Sequence, residues 1–226
     1  MKYDSYWMNG MGLHSTQLEQ LADILKDGIT KVVEFGSGNS TQFLVDFRKE
    51  HGLNFQVHSF DHHPLYCYKE QNDKDAYEWF KIVRYDCYKE QHEFLKSHRR
   101  DLVQCSDMCF EDMFKSGEYD EKCFVNRQDE RDNFSARNCF YDMTENDLPD
   151  DIDLVILDGP NGNGRSISFL HLKNKLSNGA YILIDDSDHY DFIERCKQVL
   201  DVDLIVHENN PAIHPLFNYA IMKVKI

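Results

Sequence analysis

Positive charge is scarce in this chain: 25 lysines and arginines stand against 40 acids, a formal net charge of −15. So acidic a surface repels nucleic-acid phosphates and anionic lipid, because such binding depends on lysine and arginine displacing counterions. The basic run Lys96 to Arg100 reads as a solvated helix end, so nucleic acid is not an expected partner. Long apolar runs are missing too. None approaches the ~18 residues of a membrane helix, and the opening MKYDSYWMNG has no apolar signal-peptide stretch. The expectation is a cytoplasmic protein with no membrane partner. Seven cysteines are present (Cys67, Cys87, Cys105, Cys109, Cys123, Cys139 and Cys196), an odd number with no Cys-x-x-Cys pair. That argues against a disulfide framework and against zinc. The adjacent His62 and His63 would point in different directions on an extended strand, which also disfavours a metal there.

What is present is an alternation of two periodicities. HSTQLEQLADILKDG reads as an amphipathic helix with Thr16 and Glu19 at capping-box spacing, Leu18, Leu21, Ala22 and Leu25 on one face, and Gly28 at its stop. KVVEFG has nothing polar between Lys31 and Glu34, as in a buried parallel strand. A helix follows from Ser40 to the stop at Gly52, then NFQVHSFD alternates as a second strand ending in Asp61. Strand, helix and strand in succession make a βαβ unit. Farther on, DIDLVILDG is an apolar strand ending on Asp158, a helix is expected from about Ser166 to Leu176, and GAYILIDD ends on Asp185 and Asp186. YDFIERCKQVL reads as a helix, and DLIVHE with YAIMKVKI as a terminal strand pair. The fold class is therefore α/β: a single Rossmann-like, doubly wound, mostly parallel seven-stranded sheet closed by an antiparallel strand pair.

The middle of the chain breaks this rhythm. Residues 66–100 read as helical, with CYKEQ at both Cys67–Gln71 and Cys87–Gln91, and with Tyr66, Tyr68, Tyr77, Trp79 and Phe80 among them. Two copies of five residues do not make a repeat. DLVQCSD suggests a third strand ending at Asp107, and NCFYDM a short one. One domain over 1–226 is expected, with residues 66–150 as an insertion that shapes a substrate site.

In open α/β sheets ligands sit at the carboxyl ends of the strands, where strand order reverses. Asp61, Asp107, Asp158, Asp185 and Asp186 all fall at strand ends, and VVEFGSGNSTQFL places Gly36 and Gly38 in the first turn. A nucleoside-triphosphate site would need GxxxxGK[ST], which is absent. A dinucleotide site would need a third glycine where Thr41 stands. Tyr-x-x-x-Lys occurs at Tyr85–Lys89 and Tyr219–Lys223, but neither follows the strand an NAD(P)-dependent short-chain oxidoreductase requires.

The set Glu34-Phe35-Gly36-Ser37-Gly38, strand-end Asp61, LDGP and LIDDSDHY resembles the class I S-adenosylmethionine-dependent methyltransferases, in a branch whose fourth motif reads Asp-Gly-Pro and then Arg, as in DGPNGNGR. The resemblance implies a cofactor site at Glu34, Gly36, Ser37, Gly38, Ser40 and Thr41. It also implies Asp61 on the ribose hydroxyls, His62 beside the adenine, Asp107 on the adenine amino group and Met108 against the ring. This cofactor has no pyrophosphate, so a third glycine is not needed, whereas glycines without Cβ let backbone approach the methionine part. The acceptor is expected to be a small molecule or a carbohydrate, methylated on oxygen. Asp158 is the candidate base, and His189 a second proton acceptor. Arg165 pairs either with an anionic group on the substrate or with backbone carbonyls of its own loop. Likeness to catechol-type O-methyltransferases further implies Mg²⁺ held by Asp158, Asp185 and Asp186. The alternative is a domain of the same fold that binds without turnover.

Overall fold

The computed structural model describes residues 3–6, 12–62, 95–126, 137–209 and 218–225. Among them the larger sheet runs in the order β3-β2-β1-β7-β8-β10-β9, with β1 Lys31–Phe35, β2 Gln56–Asp61, β3 Leu95–Arg99, β7 Ile152–Leu157, β8 Leu176–Asp185, β9 Val202–Asn209 and β10 Asn218–Val224. β1 pairs in parallel with β2 and with β7, β2 with β3 and β7 with β8, while β10 is antiparallel to both β8 and β9. All strands but β10 thus point the same way, a mainly parallel Rossmann-like sheet with antiparallel strands at one edge. β1, flanked by β2 and β7, is where strand order reverses.

The reason these segments are strands is burial on both faces. Val32, Val33, Leu154, Val155 and Ile156 are all 0% exposed, so each strand reads apolar without alternation. One face packs on α1 (Ser15–Leu25) and α2 (Asn39–His51), through Leu18, Leu21, Phe43 and Phe47. The other face carries α3 (Asp107–Ser116), α4 (Ser168–Leu172) and α5 (Phe192–Val199), together with a second sheet in the order β5-β4-β6. That sheet comprises β4 Leu102–Cys105, β5 Phe124–Asn126 and β6 Cys139–Tyr141, all antiparallel. Its Phe140 lies 5.5 Å from the Phe35 ring, which seats the small sheet against β1. No helix among the described residues is long and apolar enough to cross a membrane.

Several expectations are corrected here. DLVQCSD does form a strand, but β4 belongs to the small sheet. The strand beside β2 is Leu95–Arg99, so Lys96 to Arg99 are extended rather than a helix end. Asp107 consequently closes no strand of the larger sheet and is the first residue of α3, capped by Ser106 Oγ accepting from Cys109 N–H. The helix expected over 166–176 is shorter. A 3₁₀ turn covers Asn163–Ile167, α4 ends at Leu172, and β8 has begun by Leu176. The cap of α1 is also different. His14 Nδ1 accepts from Thr16 N–H at 3.3 Å, and Gln17 Oε1 accepts from His14 N–H at 2.6 Å. Residues 63–94, which include His63, both CYKEQ copies and the five aromatics named above, lie outside the described residues.

Candidate active site at the carboxyl ends of the central strands

Three chain segments are laced together at the strand-order reversal. Gly36 N–H donates to Phe60 O at 2.8 Å, while Asp158 and Gly159 N–H donate to Phe35 O at 2.8 and 2.6 Å. The turns after β1 and β7 therefore touch backbone to backbone. A Cβ on Gly36 would stand 2.7 Å from Gly159 N, and φ there is +98°, so only glycine fits. Gly38 differs. Its φ of +155° also favours glycine, yet among the described residues nothing lies within 4 Å of where its Cβ would stand. One glycine is needed for packing; the other borders open space.

Glu34 supports this turn from beneath. It is 0% exposed, and its oxygens accept from Ser40 Oγ at 2.5 Å, Thr41 Oγ1 at 2.5 Å and Ser59 Oγ at 2.6 Å. Loss of hydration raises its pKa to about 7, a penalty the three hydroxyls reduce without cancelling. Glu34, Ser40 and Thr41 thus tie the first turn of α2 to β1 and β2 through their side chains. Thr41 Oγ1 also accepts from Gly38 N–H at 3.0 Å, which fixes the turn itself.

Asp61 closes β2 and is 4% exposed. Its Oδ2 accepts from Ser37 N–H at 2.9 Å, and Ser37 Oγ lies 2.5 Å from Ser59 Oγ. The His62 ring follows, Nδ1 3.7 Å from Asp61 Oδ1 and the ring 6.1 Å from that of Tyr141. Gly36, Ser37, Gly38, Asp61 and His62 are thereby brought together, as the sequence led one to expect. Asp107 and Met108 are not with them. The Asp107 carboxylate accepts from Asn138 Nδ2 at 2.8 Å and faces Arg137, and Met108 is 73% exposed.

A second cluster lies across the reversal point. Oxygens of Asp158, Asp185 and Asp186 fall within 4.8 Å of one another. Loss of hydration, with a smaller push from Asp186, raises the pKa of Asp158, and loss of hydration with the charges of Asp158 and Asp186 raises that of Asp185 well above the usual carboxylate range. The buried Arg165 opposes this. Its Nε donates to Pro160 O at 3.1 Å and one terminal nitrogen to Asp185 O at 3.0 Å, while the other lies 3.7 Å from Asp186 Oδ2. At 2% exposure, over the Phe192 ring, the guanidinium braces its own loop and is not placed to pair with a substrate anion. His189 Nδ1 is 3.7 Å from Asp186 Oδ1, and its side chain is 42% exposed. Asp185 and Asp186 do not cap the next helix; Asp191 holds the cap position of α5.

The sequence reading missed Gln17. Its Nε2 donates to Asp185 Oδ1 at 2.5 Å from α1, on the opposite side of the sheet from Arg165's helix. It also missed Asn138 and Asn163, whose side chains bind each other's segments and dock the 3₁₀ turn on the small sheet. Gly164 completes that docking, since a Cβ there would meet Cys139 backbone at 1.9 Å.

A glycine turn, a buried strand-end aspartate and an acid cluster about the reversal point of a mainly parallel sheet define a Rossmann-like site of the methyltransferase kind. Comparison with known families agrees: a methyltransferase-domain model matches residues 33–187, and the chain belongs to that family. No curated protein sequence matches it. Among solved structures it is similar to the O-methyltransferase TomG of Streptomyces achromogenes, in complex with SAM, with a TM-score of 0.52 and 9% identity over 99% of this chain and 86% of that one. It is also similar to an O-methyltransferase from Bacillus cereus in complex with SAH, with a TM-score of 0.49 and 13% identity over 99% and 87%. At such identities the first likeness speaks for the fold.

Proposed function

We propose that the protein is an S-adenosylmethionine-dependent methyltransferase acting on an oxygen of a small-molecule or carbohydrate acceptor. The observation that carries this is Asp61. A nearly buried carboxylate is held by Ser37 N–H beside a glycine turn whose Gly38 borders open space. Such an acid, nearly buried at the end of β2 beside the glycine turn, suits a vicinal diol such as a ribose. In this reading Asp61 takes the ribose hydroxyls, His62 flanks the base, and the backbone of Gly36, Ser37 and Gly38 meets the amino-acid part. The cofactor supplies a methyl group on a sulfonium sulfur.

The protein's remaining task is to orient the acceptor hydroxyl, exclude water and take its proton. Asp158 serves as that base, its raised pKa making it a better proton acceptor than an exposed aspartate. His189 is the second proton acceptor, and Arg165 a positioning residue. The donor set of Asp158, Asp185 and Asp186, three carboxylates with oxygens within 4.8 Å of one another, suits Mg²⁺. The ion would lower the pKa of a coordinated hydroxyl.

Of the two Tyr-x-x-x-Lys pairs of the oxidoreductase alternative, Tyr85 and Lys89 lie outside the described residues. In the other, Tyr219 is 2% exposed within β10 and Lys223 Nζ donates to Tyr181 Oη at 2.8 Å, so that lysine is engaged with a different tyrosine. The deciding experiment is titration of S-adenosylhomocysteine into the purified chain, followed by transfer of labelled methyl to a panel of hydroxyl acceptors. Binding with no transfer to any acceptor would favour a scaffold of the same fold.

A further inference from the structure

A cavity of about 300 Å³ adjoins the acid cluster. Asn163 and Ser166 form one wall, from the turn after β7; Phe110 and Glu111 of α3 form another; His189, Tyr190 and Asp191 come from the turn after β8. Two of these are direct neighbours of the proposed chemistry. Ser166 follows Arg165, and His189 lies 3.7 Å from Asp186. The cavity thus opens between the same two strand-end turns that carry Asp158 and Asp186.

From its walls, we infer that this cavity is the acceptor site and that it takes a neutral, polyhydroxylated molecule of the saccharide class. Three observations carry the class. First, the cavity offers no bare apolar slot. Phe110 is 3% exposed and the Arg195 guanidinium already lies 5.5 Å from its ring, so among the described lining residues Tyr190 alone offers an open ring and the other walls are polar. Second, the lining charges cancel: Arg137 and Arg195 stand against Glu111 and Asp191, two of each sign. Arg195 is further committed to Glu111 at 2.5 Å. Among the described lining residues neither sign of charge is in excess.

Third, the groups left to bind are those that hold hydroxyls. Asp191 stands at the cap of α5 but makes no capping hydrogen bond with its side chain. Tyr190 is 45% exposed, an unusually open aromatic ring beside the cavity, able to carry the C–H face of a sugar while its hydroxyl bonds. The Asp191 carboxylate, the His189 imidazole and the Tyr190 ring with its phenol hydroxyl, set around a polar cavity, suit a polyol.

This inference rests on the methyltransferase reading only for the role of acceptor; the binding itself is testable alone. Saturation-transfer NMR on the full chain would use methyl β-xyloside, methyl α-glucoside and maltose as neutral probes, with catechol as the flat aromatic and glucuronate as the anion. The neutral saccharides should show transfer, and Tyr190→Ala and Asp191→Asn should each weaken it at least about fivefold. S-adenosylhomocysteine affinity should stay within about twofold in both variants, since neither residue belongs to the cofactor turn. Transfer to catechol or glucuronate but to no saccharide would overturn the class, and saccharide binding indifferent to Tyr190→Ala would overturn the site. Wild-type chain that binds saccharide but not S-adenosylhomocysteine would uphold the cavity and strike the cofactor reading instead.

Discussion

Gln17 Nε2 donates to Asp185 Oδ1 at 2.5 Å, joining the first helix to the end of β8 across 168 residues of sequence. The amide cannot be turned round, because its Oε1 already accepts from His14 N–H at 2.6 Å. An N-terminal cap thus orients a carboxylate of the acid cluster. Gln17→Ala should cost about 1–3 kcal/mol, as a buried carboxyl group loses a donor. Gln17→Glu should cost more, since it sets another acid against Asp185. Urea unfolding of both variants checks the order; a Glu variant as stable as wild type would mean that the contact carries no weight.

The two glycines of the first turn should separate folding from binding. Gly36→Ala puts a methyl group 2.7 Å from Gly159 N at a φ of +98°, and both obstacles are backbone. Loss of at least about 3 kcal/mol, or failure to fold, is expected. Gly38→Val should keep its far-UV spectrum while losing S-adenosylhomocysteine, because its side chain enters open space. Normal binding by that variant would place the ligand elsewhere.

His171 on α4 is 2% exposed, 4.2 Å from the Tyr119 ring, and burial lowers its pKa to about 4. The unfolded chain therefore binds the extra proton between an ordinary histidine pKa of about 6.5 and about 4, so this group's contribution is whole above 6.5 and is lost as pH falls. Glu34, raised to about 7, acts in the opposite sense: it costs stability as pH rises from about 4.5. The two oppose each other in the wild type, so the difference between proteins is the clean readout. Wild type should lose stability relative to His171→Phe by up to about 1.4 kcal/mol per pH unit between 6.5 and 4. Parallel urea profiles would contradict a neutral buried imidazole.

What the sequence made legible was whatever burial and glycine write locally. β1, β2, β7, β8 and the turn at Gly36 to Gly38 could be read because strands covered on both faces are apolar throughout, and because Asp61 falls at a strand end. The 3₁₀ turn at Asn163–Ile167 could not, because its docking depends on Asn138 and on the fit of Gly164 against Cys139. Asp107 was misplaced for a similar reason: β4 carries a strand pattern, and only its partners β5 and β6 show which sheet it joins. Gln17 sat on a helix face like any other polar residue, and nothing nearby in sequence points to Asp185. Residue types made the glycine turn and Asp61 legible, whereas long-range pairing built the acid cluster and the cavity.

Metal binding is expected at Asp158, Asp185 and Asp186, whose crowded carboxylates would each gain from a shared cation. Calorimetry with Mg²⁺ or Mn²⁺ in the presence of S-adenosylhomocysteine should give heat in wild type and markedly less in Asp185→Asn. Equal heats in both, or none in wild type, would leave Asp158 as a metal-free base.

The most direct measurement is calorimetric titration of S-adenosylhomocysteine into wild type and Asp61→Ala, with NADH run alongside. Asp61 should contribute two charge-assisted hydrogen bonds at about 1.5–3 kcal/mol each, so the variant should bind at least about tenfold more weakly while NADH gives no saturable heat with either protein. Equal affinity of the two proteins for S-adenosylhomocysteine, or tighter binding of NADH, would contradict the account.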